Sequence, residues 1–595
     1  MATEHSPEKI DHIRHSLAHL LAAAVLKEFP DAKLGVGPAV ENGFYYDFLL
    51  PRPVTPDDLK VLEKTMRSFV NKKLAFTGRE VTPAEAKKLF AHQPFKLDLI
   101  NDFAADGKTL TVYETGAPET SSQKPVTVFM DLCRGGHVEN TSEIPADAFT
   151  LDKIAGAYWK GDEKNQQLQR IYGLAFGSKA ALKEYEKMME EAKKRDHRKL
   201  GKELQLFAII DEIGPGLPLF YPKGTILRRT LENYITELQE RRGYVPIWIP
   251  HITKGELYKI SGHLDKYDAM YPPMELKDEA NYYLKPMNCP HFMMLYKTLP
   301  HSYRELPVRY VCTTTNYRYE KSGELSGLTR VRALTQDDCH VFARPDQIKQ
   351  EINLMLDMVA EIYRTFGFDD FWVRISTHDP ANKEKYIGNQ NVWADSEAAL
   401  TDLIKDRGWK YDIGVGEAAF YGPKLDFIFK DVIGRDWQLS TIQLDMNLPQ
   451  RFELEYIDES SSKQRPVVIH RAILGSTERF LGILIEHFAG KFPVWLSPVQ
   501  VAVLPVSEKF SDYGKKVFDE LAAAGIRAEL AAANESLGKR IREAELMKVP
   551  YVLVVGEKEE GGGSVNVRDR KGEEREMPLK EFLKHISAEI KEKAL

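Results

Sequence analysis

Residues 311–342 read VCTTTNYRYEKSGELSGLTRVRALTQDDCHVF, and this stretch decides the fold of the central part of the chain. Its two outer runs, 311–319 and 330–342, are rich in valine, threonine, tyrosine and leucine, which favour β-strands. The segment between them, 322–327, consists of residues typical of turns. We therefore predict two antiparallel strands joined by a flexible loop.

The predicted hairpin carries many ionisable side chains. They are Arg318, Glu320, Arg330, Arg332, Asp337, Asp338 and His340. Because burying such groups on an ordinary strand face is unfavourable, their density indicates a binding cleft. The alternative is a solvated antiparallel sheet in which polar and apolar positions alternate.

The hairpin resembles motif 2 of class II aminoacyl-tRNA synthetases in its R-Y-E triplet at 318–320, its loop and the returning Arg330. The run TQDDCH at 335–340 is similar to the form found in threonyl-tRNA synthetases. The resemblance implies that Arg318 binds the α-phosphate of ATP and that Glu320 accepts a hydrogen bond from the adenine amino group. It also implies that Arg330 reaches the terminal phosphates.

Two other segments resemble the remaining class II motifs. A helix predicted near 226–242, followed by GYVPIWIP at 243–250, resembles motif 1 and implies a homodimer, although burial within one chain is the alternative. The run VIHRAILGSTERF at 468–480, a predicted strand entering a helix, resembles motif 3. The resemblance implies that Arg479 binds the terminal phosphates with Mg²⁺ bridging, and that Lys424 steadies the reacting carboxylate and phosphate.

The amino-acid pocket is predicted from the same resemblance. Three residues far apart in sequence match the zinc ligands of the threonyl family: Cys289, His340 and His470. Three protein ligands leave a coordination position open for substrate. Valine, which lacks the hydroxyl of threonine, is then rejected because a polar site is left unsatisfied.

The resemblance assigns five further residues around this pocket. Gln336 and Tyr421 hold the amino group, Asp338 holds the hydroxyl, Gln438 lines the threonine pocket, and Gln443 lines it on the ATP side. His263 is a candidate for assisting aminoacyl transfer to tRNA, and a histidine in a Ser-Gly turn is the simpler alternative. Leu334 stands where the family has a phenylalanine stacked on adenine, so we expect weaker stacking, by about 1 kcal/mol.

A second cluster is predicted near the N-terminus. Residues 7–29 have helical apolar periodicity, which places His15 and His19 on one face. Cys133 and His137 are also four residues apart, and together the four side chains suit a tetrahedral zinc site. The alternative is that the histidines are ordinary polar helix positions and the cysteine a core residue.

These N-terminal motifs resemble the editing domain of threonyl-tRNA synthetases, in which the cluster hydrolyses mischarged seryl-tRNA without a metal. Related alanyl editing domains bind zinc, so a metal stays an open alternative. Lys96 and Asp131 match further editing positions, with a solvated surface lysine as the alternative for Lys96. Since serine differs from threonine by one methyl group, about 1 to 3 kcal/mol, a second site for accuracy is expected.

The remaining stretches complete the predicted organisation. The run DGKT at 106–109 is interpreted as a turn rather than a P-loop, because no strand-to-helix context follows. Lysine, glutamate and alanine dominate 178–206, which indicates an exposed connecting helix with tRNA contact as an alternative. After residue 498, strands and helices alternate in a compact α/β domain that resembles an anticodon-binding domain, with Glu559 and Arg568 at base-reading positions.

We therefore predict a multidomain α+β and α/β protein with a class II antiparallel-sheet catalytic domain. The predicted boundaries are 1–177 for the editing domain, 178–206 for the linker helix, 207–497 for the catalytic domain and 498–595 for the anticodon-binding domain. The chain starts directly at the editing domain, without the ubiquitin-like (TGS) domain that precedes it in many bacterial members. The implied substrates and partners are ATP, L-threonine and tRNA(Thr).

Length and composition agree with this interpretation. The chain has 595 residues, 43% of them hydrophobic and 29% charged, which allows about four globular domains. The net charge of −6 excludes a globally basic nucleic-acid binder and gives no indication of DNA binding, so RNA contacts depend on local patches. Four cysteines, no signal-peptide core and no run of 18 apolar residues predict a cytoplasmic protein without a membrane span.

Two other functions are consistent with the same motifs. One is a paralogue that binds RNA or senses nutrients without charging tRNA, and the intact arginines and zinc ligands argue against it. The other is a synthetase for a different amino acid, such as proline or serine.

Overall fold

The computed structural model describes residues 6–117, 126–277 and 279–595, which form two compact units that divide between Glu190 and Glu191. The predicted combination of α+β and α/β domains is confirmed. None of the helices in the described ranges is long and apolar enough to cross a membrane.

The first unit combines a five-stranded and a three-stranded antiparallel sheet with helices. Its helices are α1 (Pro7–Glu28), α2 (Pro56–Val70), α3 (Pro83–Leu89), α4 (Pro94–Ala105) and α5 (Lys179–Arg195), the last of which crosses the unit boundary. Its strands are β1 (Lys33–Leu34), β2 (Ala39–Val40), β3 (Gly43–Leu49), β4 (Ala75–Val81), β5 (Leu110–Ala117), β6 (Val126–Leu132), β7 (Phe149–Tyr158) and β8 (Gln167–Ala175). The larger sheet has the order β1-β3-β8-β7 with β2 beside β3, and the smaller has the order β4-β5-β6.

Helix α1 is the central element of the first unit. It begins where the Ser6 side chain accepts a hydrogen bond from the backbone N–H of Lys9, with Pro7 in the first turn. Its alanine-rich body is buried in the hydrophobic core of the unit against α2 and β3. The predicted helix at 7–29 is therefore confirmed, and it presents His15 and His19 one turn apart.

The second unit contains the remaining elements. Its helices are α6 (His197–Glu203), α7 (Pro222–Glu240), α8 (Gly255–Ser261), α9 (His263–Lys266), α10 (Cys289–Lys297), α11 (Ile348–Phe366), α12 (Gln390–Asp406), α13 (Leu448–Arg451), α14 (Thr477–His487), α15 (Ser511–Ala523), α16 (Leu537–Leu546), α17 (Glu557–Gly562) and α18 (Leu579–Glu592). Its strands before residue 473 are β9 (Phe207–Ala208), β10 (Leu219–Phe220), β11 (Val245–Pro246), β12 (Ile252–Lys254), β13 (Tyr282–Leu284), β14 (Val308–Tyr317), β15 (Ala333–Ala343), β16 (Phe371–Thr377), β17 (Tyr411–Val415), β18 (Lys424–Lys430), β19 (Asp436–Asp445), β20 (Tyr456–Ile457), β21 (Lys463–Gln464) and β22 (Val467–Ala472). The last five strands are β23 (Val501–Pro505), β24 (Ala528–Leu530), β25 (Tyr551–Val555), β26 (Ser564–Asp569) and β27 (Glu574–Pro578).

An eight-stranded sheet in the order β11-β14-β15-β22-β19-β18-β16-β17 forms the middle of this unit. The predicted hairpin is confirmed, since β14 and β15 pair antiparallel from Val308 opposite Phe342 to Tyr317 opposite Ala333. Strand β15 is an interior strand and is mostly buried. The alternative of a solvated sheet is therefore wrong.

The two faces of β15 serve different purposes. Cys339 and Val341 join the large hydrophobic core to which α7, α11 and α14 also contribute. Because side chains alternate along a strand, Gln336, Asp338 and His340 lie on the opposite face. Asp338 and His340 thus share one side of the sheet, whereas Asp337 lies on the core side, where it accepts hydrogen bonds from the backbone N–H groups of Ile473 and Leu474.

The chain between the two units differs from the prediction of a single exposed helix over 178–206. It forms two helices, α5 and α6, because Asp196 adopts a non-helical conformation and its side chain accepts the backbone N–H of Arg198. His197 and Leu200 in α6 are buried. Arg195, a basic residue of the segment for which tRNA contact was the alternative, instead donates to the carbonyls of Glu486 and His487.

The C-terminal part of the second unit has a five-stranded sheet in the order β24-β23-β25-β26-β27. Strands β23, β24 and β25 are parallel and alternate with helices α15 and α16, as the sequence predicts. Strands β26 and β27 add an antiparallel pair that the sequence analysis did not predict.

Candidate active sites

One row of paired residues crosses four strands of the large sheet. His340 on β15 is opposite His470 on β22, His470 is opposite Gln443 on β19, and Gln443 is opposite Lys424 on β18. Directly paired residues on neighbouring antiparallel strands project from the same face. Strand register alone therefore brings together four residues that are up to 130 positions apart in the sequence.

Three predicted metal ligands meet at one end of this row, and two of them belong to it. The side chains of Cys289 at the start of α10, His340 and His470 are buried, and their ligand atoms all lie within 4.8 Å of one another. Within the described part of the chain, both ring nitrogens of His340 and Nδ1 of His470 have no hydrogen-bond partner. Buried polar atoms are rarely left unpaired, so these orphaned nitrogens fit a metal ion. One thiol and two imidazoles form a donor set suited to zinc.

Protonation of the two histidines is set by different neighbours. Burial holds the pKa of His340 well below its usual value, so its imidazole is neutral and able to act as a ligand. Burial also lowers the pKa of His470, but the adjacent Cys289 and the Asp445 carboxylate outweigh it and raise that pKa to about 10. Nε2 of His470 lies 2.9 Å from Asp445 Oδ2, which fixes the ring orientation.

A cavity of about 270 Å³ opens next to the cluster. Its lining includes Cys289, His470, Arg318, Gln336, Asp338, Tyr421, Lys424 and Gln443. The Tyr421 hydroxyl donates to Gln443 Oε1 at 2.5 Å, and Asn288 Nδ2 donates to Asp338 Oδ2 at 2.8 Å. These polar groups converge on one space beside the candidate metal ligands.

Two predicted residues are held differently from the expectation. Gln438 does not line the cavity, because its amide donates to Asp426 Oδ1 and its carbonyl accepts from Arg374. Lys424 lines the cavity but is already paired with Asp426 at 2.7 Å. Asp426 is fully buried and fixes both side chains.

The three predicted phosphate-binding arginines lie near each other. Burial lowers the pKa of Arg479, and the nearby positive charges of Arg318 and Arg330 lower it further. Nε of Arg318 is buried without a partner among the described residues. Arg330 pairs with Glu320 and Glu324 at 2.9 and 2.7 Å. This concentration of positive charge is suited to an anion such as a polyphosphate.

His263 starts α9 and is fully buried. Its Nδ1 lies 2.7 Å from Ser261 Oγ and its Nε2 lies 3.1 Å from the Met287 sulfur. Burial lowers its pKa to about 4, so the ring is neutral. Met287 lines the cavity, so His263 lies directly behind the cavity wall. Leu334 is also buried, and its effect on adenine stacking stays a prediction.

A second cavity, of about 590 Å³, lies in the first unit and is lined by His15, His19, Lys96, Asp131 and Cys133. The Cys133 sulfur lies 3.4 Å from His15 Nε2 and 3.2 Å from His137 Nε2. The four ligand atoms of His15, His19, Cys133 and His137 all lie within 4.8 Å of one another. The structure thus brings the two sequence motifs into one cluster.

Burial keeps this cluster uncharged. It lowers the pKa values of His15, His19 and His137, and it raises the pKa of Cys133 to about 11. Neutral imidazoles next to a protonated thiol can orient and exchange protons with a bound water. The same geometry suits a metal ion, which would displace the thiol proton.

Lys96 lies at the base of this cavity and is 1% exposed, so the alternative of a solvated surface lysine is wrong. Its ammonium pairs with Asp131 Oδ1 at 2.6 Å. The Tyr46 hydroxyl donates to Asp131 Oδ2 at 2.5 Å, and His19 Nε2 lies 3.9 Å from the same oxygen. Asp131 therefore links Lys96 to the histidine cluster.

Several residues at the two cavities have no role assigned from the sequence. The segment 106–109 is the predicted turn, with Gly107 at a positive φ of 66°, and Lys108 and Thr109 of this turn line the first-unit cavity. Asp445, which orients His470, was not assigned a role. A carboxylate one strand away from a candidate ligand histidine is a signal that appears only once the strand register is known.

Two other predicted surfaces are partly covered by the protein itself. In the motif 1 segment Ile249 is buried, whereas Val245 is 54% and Trp248 is 78% exposed. Arg568 pairs with Glu545 and Glu574, and the Glu559 carboxylate accepts the backbone N–H of Gly556. Both anticodon candidates are thus held by neighbouring groups in the C-terminal part of the second unit.

Comparison with known protein families gives three matches along the chain. Residues 273–488 match the tRNA synthetase class II core domain (G, H, P, S and T), and residues 500–589 match an anticodon binding domain. Residues 110–172 match the threonyl and alanyl tRNA synthetase second additional domain.

Relatives extend over nearly the whole length of the chain. A threonine–tRNA ligase of Gloeobacter violaceus is 49% identical over 98% of this chain and 93% of its own length, and one of Cytophaga hutchinsonii is 47% identical over 97% and 88%. Among solved structures, the RNA-binding domain of threonyl-tRNA synthetase from Cryptosporidium parvum is 37% identical with a TM-score of 0.64, covering 66% of this chain and 98% of that one.

Proposed function

The chain belongs to the threonyl-tRNA synthetase family, and from that premise we propose which residues carry out each step of threonyl-tRNA synthesis and editing. As a threonine–tRNA ligase with a class II core, the protein uses ATP to activate threonine and transfers it to tRNA. The observation that carries the residue assignments is the meeting of Cys289, His340 and His470 beside the arginine-lined cavity.

Activation brings the threonine carboxylate to the α-phosphate of ATP, so the site has to orient two anions and stabilise negative charge. Arg318 is proposed to bind the α-phosphate, since its buried Nε has no partner among the residues that the structure describes and its fork suits bidentate binding. Arg479 and Arg330 are proposed to bind the terminal phosphates together with Mg²⁺. Glu320 would break its ion pair with Arg330 and accept a hydrogen bond from the adenine amino group.

The threonine side is proposed to lie at the metal cluster. A zinc ion held by Cys289, His340 and His470 would act as a Lewis acid toward the amino and hydroxyl groups of the substrate. Tyr421 and Gln336 orient the amino group of threonine, and Asp338 accepts a hydrogen bond from its hydroxyl group. Lys424, fixed by Asp426, places its charge near the reacting carboxylate. Valine leaves Asp338 without its partner, which is the basis of its rejection.

Replacing Asp445 by asparagine is expected to weaken zinc binding about 10- to 100-fold, because the carboxylate no longer orients His470. A chelator competition titration measures the zinc affinity, and threonine-dependent ATP–pyrophosphate exchange should decline in parallel. Asp436, at the other end of the same strand and paired with Lys430, is the matched control. Unchanged zinc affinity in Asp445→Asn would contradict the role of this residue.

The first-unit cavity is proposed to hydrolyse seryl-tRNA(Thr). His15, His19, Cys133 and His137 would position a water against the seryl ester, and Lys96, held by Asp131, would bind the terminal ribose. We propose that this hydrolysis proceeds without a metal, with the neutral imidazoles orienting the water. Proton transfer by groups of this kind contributes about 10²- to 10⁴-fold to reaction rates.

Replacing Cys133 by alanine is therefore expected to lower deacylation of seryl-tRNA(Thr) about 100-fold and to leave threonine activation unchanged. The zinc content of the full chain then separates the two interpretations of this site. One zinc per chain, lost in Cys289→Ala but kept in Cys133→Ala, supports metal-free editing. Two zinc ions per chain, one of them lost in Cys133→Ala, would overturn it.

The amino-acid assignment is tested by ATP–pyrophosphate exchange with threonine, valine, serine and proline. Exchange with threonine, weaker exchange with serine and none with valine is the expected pattern. A paralogue that only binds RNA shows no exchange with any of them, and a synthetase of another specificity shows exchange with its own amino acid.

Three coarser features complete the proposal. The anticodon-binding domain is proposed to contact tRNA(Thr) through Glu559 and Arg568, once the latter leaves its ion pairs. The exposed Val245 and Trp248 favour a homodimer formed through the motif 1 segment. All four cysteines are free thiols, and a reducing compartment such as the cytoplasm keeps them so.

A further inference from the structure

We propose that His197 is a positioning residue for the ATP site, because it holds the turn that follows the motif 2 loop through the backbone of Leu328. This inference rests on the proposed roles of Arg330 and Arg479. His197 is not among the predicted site residues. It belongs to the segment 178–206, which was predicted as a connecting helix.

The hydrogen bonds of His197 fix its tautomer. The residue is 3% exposed, and its backbone N–H and Nδ1 lie 3.1 and 2.7 Å from the same oxygen of Glu486. Since a carboxylate only accepts hydrogen bonds, Nδ1 carries the proton and Nε2 keeps its lone pair. The backbone N–H of Leu328 donates to this Nε2 at 3.0 Å. Both ring nitrogens are thus used, each in one direction.

The Glu486 end of this arrangement is firmly held. Glu486 lies in α14, the motif 3 helix, and its second carboxylate oxygen pairs with Arg435. Arg195 donates to the backbone carbonyls of Glu486 and His487 at 3.4 and 3.0 Å. His197 is therefore attached to the helix that carries Arg479 at its other end.

The Leu328 end belongs to a tight turn of the ATP site. The backbone N–H groups of Thr329 and Arg330 both donate to the carbonyl of Ser326, at 2.9 and 3.2 Å. The carbonyl of Thr329 in turn accepts a hydrogen bond from Arg479 Nε at 2.9 Å. The turn anchored by His197 therefore carries one phosphate-binding arginine and seats another.

Gly327 shows how closely the turn approaches the histidine. A Cβ atom on Gly327 would lie 2.1 Å from His197 Nε2, and its φ of +48° also favours glycine. Only a glycine leaves the space in which the Leu328 N–H can reach the imidazole. The loop backbone is thus shaped to fit against His197.

Two substitutions separate the two hydrogen bonds. His197→Asn places an amide near the position of Nδ1, where it can still donate to Glu486 but cannot reach Leu328. His197→Gln extends further and can return an acceptor to the Leu328 N–H. A buried N–H left without a partner is unfavourable by about 1.4 kcal/mol, which corresponds to a factor of about ten in an equilibrium constant.

We expect His197→Asn to raise the Kd for ATP and the KM for ATP about tenfold, with the KM for threonine and the zinc content unchanged. His197→Gln should recover most of the ATP affinity. Calorimetry with ATP measures binding without any amino acid. The unchanged zinc content serves as an internal check that the second unit is folded, because Cys289, His340 and His470 belong to the same unit as His197.

His301→Asn is the matched control, because His301 is also buried, lies beside Glu305 and bonds a backbone carbonyl. Unchanged ATP affinity in His197→Asn would overturn the proposal. Equal losses for ATP and threonine, or the same loss in His301→Asn, would reduce His197 to a structural residue and also overturn it. Wild-type protein that binds ATP but shows no threonine-dependent exchange would count against the proposed function instead.

Discussion

Replacing Cys289 by alanine is expected to release the zinc ion and to lower the kcat/KM for threonine in ATP–pyrophosphate exchange about 10⁴-fold. Cys289 contributes the thiol of the cluster, and the two remaining imidazoles alone are a weak donor set for zinc. A pocket built around the threonine hydroxyl then loses the interaction that distinguishes threonine from valine. Metal analysis and exchange kinetics on the same preparation measure both effects.

Cys312→Ala is the matched control for this experiment. Cys289 and Cys312 are each 6% exposed and pack in the same hydrophobic cluster, so their truncation removes a similar volume from the core. Of these two cysteines, Cys289 has its sulfur among the candidate metal-ligating atoms and Cys312 does not. If Cys289→Ala keeps one zinc per chain, or if Cys312→Ala loses it, the assignment of the ligands is wrong.

Local patterns were sufficient to predict most secondary structure near this site. The turn residues at 322–327 lie between two runs of β-formers, and the observed hairpin joins Val308–Tyr317 to Ala333–Ala343. Helical periodicity likewise predicted α1 closely. Strand β27 escaped prediction because its sequence, EREMP, is mostly exposed and carries three charged residues, so it lacks an alternating apolar pattern.

The residues of the candidate site could be predicted from the family resemblance but not from their spacing in the sequence. Nothing in the spacing of Cys289, His340 and His470 indicates that they meet, because their proximity depends on the pairing of β15 with β22 and on the position of α10. Asp445 was missed for the same reason. Long-range strand order is not encoded in any short sequence pattern.

Charge alone does not decide whether a side chain is exposed. Lys96 was predicted as an editing-site residue with a solvated surface lysine as the alternative, and its pairing with Asp131 in the interior rules out that alternative. The basic and acidic residues of 178–206 suggested a solvated helix, whereas Asp196 ends one helix, caps the next and turns His197 inward. Partners far away in sequence decide whether a charged residue is exposed.

Replacing Arg318 by alanine is expected to lower the kcat of threonine-dependent exchange about 10²- to 10³-fold, since one donor to the developing charge on the α-phosphate is lost. Arg318→Lys should recover only part of this activity, because an ammonium cannot form the bidentate contact of a guanidinium. Arg344, which follows the same hairpin and pairs with Asp346, is the matched control. Activity of Arg318→Ala within a few-fold of the wild type would contradict the assignment.

The stability of the same variant distinguishes catalysis from structure. Burial lowers the pKa of Arg479, and without ATP the nearby positive charges of Arg318 and Arg330 lower it further. Removing one positive charge should therefore leave the thermal midpoint of the free protein unchanged or raised, while the increase caused by added ATP becomes smaller. A structural arginine behaves in the opposite way, since its loss lowers the midpoint in the absence of ligand. A lower midpoint in free Arg318→Ala would thus attribute the lost activity to misfolding, whereas a stable variant that ATP no longer stabilises assigns Arg318 to the nucleotide.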